Sequence, residues 1–178
     1  MANIQFQPTI RPAIPADFNA IYAIWLEGIA HSFAGFAHPV DLREQFHHNF
    51  ISCPPPFGFW VAEEDELVLG WQSLLPCTTN PLKRQLLAES STYLRDSGRG
   101  RGVGELLLRR ALAEARDSGL RFVVAYTLAE NTRVGELYAR CGFQANGRMT
   151  AAELADFYAD RLLWLYAVPV SVHQSPTS

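Results

Sequence analysis

Eight consecutive residues, Ser97-Gly98-Arg99-Gly100-Arg101-Gly102-Val103-Gly104, put four glycines and two arginines into one short turn. A β-prone run, Ser91-Thr92-Tyr93-Leu94, leads into it. Behind it, residues 103–118 carry Leu107, Leu108, Ala111, Leu112 and Ala115 at helical spacing, and Gly119 stands where a left-handed residue would end the helix. A glycine-rich turn that opens a helix presents backbone N–H groups without partners and the positive end of the helix dipole, which together bind phosphate. The glycines let the backbone close on a ligand without Cβ atoms in the way. Arg99 and Arg101 add charge to a protein whose overall charge is −3.

Two common phosphate loops do not fit. The dinucleotide pattern G-x-G-x-x-G fails from Gly98, where the last position is Val103, and from Gly100, where it is Glu105. The P-loop requires Gly-Lys before Ser or Thr, and the chain has no Gly-Lys pair. Arg-x-x-Gly-x-Gly does fit, as Arg99-Gly100-Arg101-Gly102-Val103-Gly104. This resembles the pyrophosphate loop of the GCN5-related N-acetyltransferases, the GNAT family. A second landmark, from Asn131 through Tyr138 to Gly142-Phe143, resembles that family's Asn…Tyr…Gly-Phe signature.

The elements that must position these residues read off in order. A strand at residues 4–11 is followed by a helix that starts at Pro15-Ala16-Asp17, with Phe18, Ile21, Tyr22, Trp25 and Ile29 on its apolar face. A short helix is expected at about 40–50, and Cys53-Pro54-Pro55-Pro56 is a loop. Residues 57–63 and 67–75 form a hairpin around the acidic turn Glu64-Asp65-Glu66, with a bulge or close packing at Gly70-Trp71. Residues 86–94 are the strand that delivers the glycine loop. The apolar run at 122–127 suits a buried parallel strand, a short helix spans about 132–140, and strands at 143–149 and 162–168 finish the domain. A single domain is expected over residues 1–170, with a flexible tail at 171–178. This element order is that of the N-acetyltransferase fold. The resemblance implies an α/β (α+β) architecture, with a mixed, mostly antiparallel central sheet flanked by helices and splayed at the cofactor site.

The resemblance also implies chemistry. Acetyl-CoA would be the cosubstrate, with its pyrophosphate on Arg99, Gly100, Arg101, Gly102, Val103, Gly104 and Glu105 and its pantetheine arm along Thr92, Tyr93 and Leu94. Asn131 reads from spacing as a helix N-cap, and by resemblance it also lies beside the pantetheine. Val134, Leu137, Tyr138 and Cys141 share a helix face, so Tyr138 points inward, where packing alone would explain it. In the family the tyrosine at this position often protonates the departing thiolate. Glu89-Ser90-Ser91-Thr92-Tyr93-Leu94 resembles the Glu-Ser-Thr-Val-Tyr-Val of phosphinothricin-type acetyltransferases, at the same ungapped distance from the glycine loop. There the glutamate is proposed to take the amine's proton, which would make Glu89 the base; a solvent-facing Glu89 is the plain alternative. An oxyanion donor is expected from a backbone N–H near Tyr93 or Leu94. In that subgroup a histidine usually occupies the position of Tyr138.

The implied reaction is acetyl transfer, in a ternary complex, to the primary amine of a small molecule of the amino-acid or amino-acid-analogue kind. An antibiotic amine, a protein N-terminus, or a CoA-binding sensor without turnover stay open as alternatives. The acidic balance and pI near 5.9 give no reason to expect nucleic acid or an anionic membrane as partner. Met1 to Gln5 shows no basic region followed by an apolar core, so no leader is expected, and no apolar run reaches membrane-spanning length. Cys53, Cys77 and Cys141 are odd in number and widely spaced, which suits free thiols in the cytoplasm. His31, His38, His47 and His48 match no ligand spacing, so no metal is expected. Dimers are common in the resembling subgroup, so a homodimer is one expectation. Tyr22, Trp25, Phe33, Phe36 and Phe57 could line an acceptor pocket, with core packing the alternative for most of them.

Overall fold

The computed structural model describes residues 8–32, 41–150 and 162–170. The expected tail, Phe33, Phe36, His38 and residues 4–7 of the first strand lie outside them. Seven strands, β1 (Thr9–Pro12), β2 (Gly58–Glu64), β3 (Leu67–Pro76), β4 (Leu87–Leu94), β5 (Phe122–Leu128), β6 (Gln144–Thr150) and β7 (Leu162–Pro169), make one sheet in the order β1-β2-β3-β4-β5-β7-β6. Four helices, α1 (Phe18–Ser32), α2 (Leu42–Ile51), α3 (Val103–Asp117) and α4 (Thr132–Arg140), pack on it. Every neighbouring pair is antiparallel except β4 and β5. The order of elements and the mixed, mostly antiparallel sheet are those the sequence pattern led to.

Strand alternation sorts the core into two layers, because successive side chains leave a strand on opposite faces. Trp60, Ala62, Leu74, Ala88, Val123 and Ala125 face α3 and α4, whose buried positions Val103, Leu107, Leu108, Ala111, Leu112, Ala115 and Tyr138 join them in one cluster. Phe59, Val61 and Trp71 face the other way and pack with Ile21 and Ile24 of α1, with Phe46 and Phe50 of α2 against them. The buried Trp71 indole donates to the Ile21 carbonyl at 2.9 Å, so the second layer leaves no orphaned donor there. Arg11 ties β1 to both neighbours, donating to Asp17 at 2.7 and 2.9 Å and to Glu63 at 3.1 Å. Asp17 also accepts from the Ile14 N–H at 2.8 Å, which fixes the turn that opens α1.

The expected irregularity near Gly70 is present in both forms. Ala62 pairs with Gly70 but Glu63 pairs with Val68, leaving Leu69 as the extra residue. A Cβ on Gly70 would lie 2.3 Å from Leu94 Cδ2 and 2.7 Å from the Tyr93 carbonyl, so β3 and β4 approach too closely there for a side chain.

The feature that matters for function is where β4 and β5 part. Their parallel pairing runs from Leu87↔Phe122 to Ser90↔Ala125 and stops. β4 continues to Leu94 and β5 to Leu128 with no pairing between them. A gap therefore opens in the middle of the sheet, bordered by strand edges with polar groups to satisfy.

Candidate active site

One end of that gap is built by the glycine loop. The N–H of Arg95 donates to the Leu69 carbonyl at 2.9 Å and closes β4, and a 3-10 turn, Asp96–Gly98, redirects the chain. Gly100 and Gly102 have φ of 72° and 80°, and a Cβ at either would meet nothing within 4 Å. The backbone conformation, not space, calls for glycine here. Gly102 caps α3: its carbonyl accepts from Glu105 and Leu106, each at 3.1 Å. The N–H groups of Gly102, Val103 and Gly104 donate to no backbone carbonyl among the described residues. They form the open N-terminus that phosphate binding needs. Gly104 is needed for a different reason. A Cβ there would lie 3.3 Å from Leu137 and 3.4 Å from Leu94, so its absence lets α3 sit against both α4 and β4.

The charged residues of the loop are already engaged. Arg99 pairs with Asp96 at 2.8 Å, and Arg101 pairs with Glu64 at 3.2 Å while donating to the Ser97 carbonyl at 3.2 Å. Both are exposed pairs of the kind worth about 0–1 kcal/mol, weak enough for a phosphate to displace. Glu105 turns away from the loop. Its carboxylate accepts from Arg109 at 2.8 and 2.9 Å and from Arg140 at 3.1 Å, and these bonds hold it below its usual range. Its role at the loop is that of a first-turn acid clamping α3 to α4, with its N–H spent on Gly102.

The side of the gap formed by β4 follows from alternation. Arg95 bonds to β3, so the N–H and C=O of Tyr93, Ser91 and Glu89 also point to β3, while those of Thr92 and Leu94 point to the opposite edge. Thr92 and Leu94 therefore border the gap with main-chain groups, and of the two residues expected to supply an oxyanion donor it is Leu94 whose N–H faces it. Tyr93 contributes its side chain on the far face, stacked on Trp71 at 4.9 Å. Asn131 caps α4, its Oδ1 accepting from the Val134 N–H at 3.4 Å, as the spacing indicated.

The ionisable groups meet from both faces of the sheet. Tyr138 lies on the α3–α4 face, 3% exposed, with its ring 5.1 Å from Phe143 and 5.2 Å from Tyr166. Burial raises its phenol above the ordinary value, and Tyr93 and Glu89 add to the shift. Those two residues leave β4 on the other face. Glu89 is half-buried, and burial pushes its carboxyl up, with no hydrogen bond or cation among the described residues offsetting this. The same carboxylate raises Tyr126 and Cys77, after burial in each case. By strand parity Glu89 and Tyr126 lie on the α1–α2 face, while Thr92 and Tyr138 lie on the opposite one.

Sequence reasoning passed over Tyr126 and Gln72. Tyr126 stands in an apolar run expected to be a buried strand, and Gln72, a polar residue inside β3 that no motif marks, is fully buried. Phe57 packs in the α3-side layer and also lines a cavity at the start of β2. Tyr22 and Trp25 stay on the α1–α2 face within an aromatic group with Phe46. A cavity of about 370 Å³ beside α4 takes in Asn131, Gly135, Trp164 and Tyr166, and one of about 490 Å³ at the start of β2 takes in Phe57 but none of the residues expected to hold acetyl-CoA or move protons. Cys141 is buried and its thiol is pushed up, as a packed cysteine should be. Among the described residues no group of His, Cys, Asp or Glu could hold a metal, and no helix is long and apolar enough to cross a membrane.

Comparison with known proteins agrees with this geometry. The sequence model of the acetyltransferase (GNAT) family matches residues 22–143. N-acetyltransferase 8B of Rattus norvegicus is 36% identical over 91 residues, which is 51% of this chain and 41% of that protein; the chain thus spans less than half the length of that relative. YwnH of Bacillus subtilis, a candidate phosphinothricin acetyltransferase, is 31% identical over 140 residues, 76% of this chain and 83% of that protein. In fold, the chain is similar to YncA of Salmonella typhimurium, a candidate acetyltransferase solved with its cofactor acetyl-CoA. That match has a TM-score of 0.80 at 24% identity, covering 97% of this chain and 99% of the other.

Proposed function

The chain belongs to the acetyltransferase (GNAT) family, and we propose that it moves the acetyl group of acetyl-CoA to the primary amine of a small molecule, of the amino-acid or amino-acid-analogue type. The observation that carries this is the gap between β4 and β5, with an open helix N-terminus at one end and an uncompensated carboxylate on the far face. The residues fit acetyl-CoA: Gly102, Val103 and Gly104 offer N–H groups to a pyrophosphate, Arg99 and Arg101 stand beside them, and the edge of Thr92 and Leu94 suits an amide-bearing arm. When bound there, acetyl-CoA supplies an activated acetyl thioester.

The protein's own residues supply the proton movements. Glu89, with its raised carboxyl, takes a proton from the acceptor's ammonium so that the amine can attack. The N–H of Leu94 donates to the oxygen on which charge develops. Tyr138, kept neutral by burial, gives its proton to the leaving sulfur. Acceptor and acetyl donor enter from opposite faces and meet in the gap, which suits direct transfer in a ternary complex. The likeness to YwnH, a candidate phosphinothricin acetyltransferase, supports an acceptor of the amino-acid-analogue type.

The test is thiol release from acetyl-CoA with a panel of free amino acids, their sulfone, sulfoximine and phosphinic analogues, antibiotic amines and short peptides. Release with free amino acids or their analogues supports the reading, and release with peptides or antibiotics alone moves the acceptor class. Binding of acetyl-CoA without release from any acceptor would make the protein a sensor. A cytoplasmic location and a homodimer belong to the same reading, and light scattering on the purified protein tests the second.

A further inference from the structure

We propose that Gln72 is a positioning residue that joins the two halves of the cofactor site, the N-terminus of α3 and the open edge of β4; this rests on the acetyl-CoA reading above. Gln72 lies on β3 directly opposite Thr92 and has no exposed surface. Its amide nitrogen donates to the Ser73 carbonyl at 2.7 Å and to Ser90 Oγ at 2.8 Å, and its amide oxygen accepts from the Thr92 hydroxyl. The orientation of the amide is forced, because a backbone carbonyl can only accept, so the nitrogen must face Ser73 and the oxygen must face Thr92.

The consequence runs through Thr92. Its hydroxyl is committed as a donor to Gln72, which fixes the rotamer and turns the methyl toward α3, where it would lie 3.9 Å from a Cβ on Gly104. Ser90, held by the same amide, is the last residue of β4 that pairs with β5. Beyond it β4 is held from the β3 side only, so the network fastens the strand at the point where its edge becomes available to a ligand. A buried amide with every group satisfied holds firmly, and removing one partner strands the others in a dry layer. Gln72 touches no ligand position itself. It sets the placement of Thr92 against both the glycine loop and the gap.

Calorimetry with acetyl-CoA on the folded protein tests this with Gln72→Leu, Gln72→Glu and Thr92→Val. Gln72→Leu should weaken acetyl-CoA binding roughly tenfold, and Thr92→Val should weaken it in the same direction by less and add nothing in the Gln72→Leu background. Gln72→Glu carries the distinguishing signature. A protonated carboxyl can still accept from Thr92 and donate once, but an ionised one cannot donate, so between about pH 5 and pH 8 its acetyl-CoA affinity should fall relative to that of the wild type at each pH. A folded Gln72→Leu with wild-type affinity, or a Gln72→Glu with no added pH dependence, overturns the proposal. If Gln72→Leu does not fold, Thr92→Val decides, and an unchanged affinity there overturns it. Failure of the unaltered protein to bind acetyl-CoA overturns the reading of the site itself, and the role of Gln72 with it.

Discussion

Glu89→Gln separates a base from a bystander because it should lower activity and raise stability at once. The amide has nearly the shape of the carboxyl, and among the described residues Glu89 makes no hydrogen bond or ion pair that the change would break. Loss of a general base costs about 10²–10⁴ in rate, or about 2.7–5.5 kcal/mol of barrier. The pH profile follows from the sign of the shift. Burial raises the folded-state value above that of the unfolded chain, so the acid limb of kcat/KM should lie above the usual carboxylate range and vanish in the variant. The neutral form favours folding: its contribution is complete below the unfolded value and is lost as pH rises through the folded one. At neutral and alkaline pH the wild type therefore carries a buried charge that glutamine lacks, and the variant should melt higher there and equally in acid. Initial rates of thiol release between about pH 5 and 9 measure the first effect, and thermal melts below the ordinary carboxylate range and at about pH 9 measure the second. A variant with wild-type rate, or one that melts lower at neutral pH, would refute the reasoning.

Substitutions at three other positions follow from the same geometry. Tyr138→Phe keeps the ring against Phe143 and Tyr166 but removes the proton donor, so kcat should fall about 100-fold with acetyl-CoA affinity unchanged by calorimetry. Because the phenol is raised, wild-type activity should show no alkaline limb from Tyr138 below its ordinary value. Gly102→Ala meets no atoms but must hold φ near 80°, a strain of about 1–2 kcal/mol that should appear as lost stability and weaker acetyl-CoA binding. Gly102→Asn should cost less, since asparagine tolerates that region. Glu64→Gln removes one competitor for Arg101; acetyl-CoA should bind up to about fivefold tighter at low salt and lose that advantage at high salt. Unchanged affinity would place Arg101 outside the phosphate site.

The parts that depend on local pattern were legible in the sequence. The stripe from Leu107 to Ala115 fixed α3, Gly119 and Gly142 ended α3 and α4 at φ of 85° and 90°, and the Asn131 cap followed from its place before Thr132. Contacts between residues distant in sequence were not. Arg101 meets Glu64 across 37 positions, and nothing in either segment announces the pairing. Gln72 stayed hidden because a polar residue in a strand normally marks the wet face, and only β4 supplying Ser90 and Thr92 makes it a buried one. Phe57 was legible as an apolar wall but not as belonging to the α3 side, because an aromatic residue shows that it will be buried but not on which side of the sheet.

Parity along β4 explains why the site needs the gap. Glu89 and Thr92 are three residues apart, so their side chains must leave the strand on opposite faces. In a continuous sheet a base on the α1–α2 face could never reach a ligand lying on the α3–α4 face, since hydrogen-bonded backbone would separate them. The pairing of β4 with β5 lapses one residue beyond Glu89, after Ser90↔Ala125, and there the two faces become one space. The lapse also exposes the N–H and C=O groups of Thr92 and Leu94, which β5 would otherwise have satisfied. A ligand strand is the natural replacement, and the open N-terminus of α3 stands at the end of that edge to receive a phosphate. Binding and catalysis thus share one cause, a sheet left unfinished on one side of β4, and the Gln72 network is what keeps the other side closed.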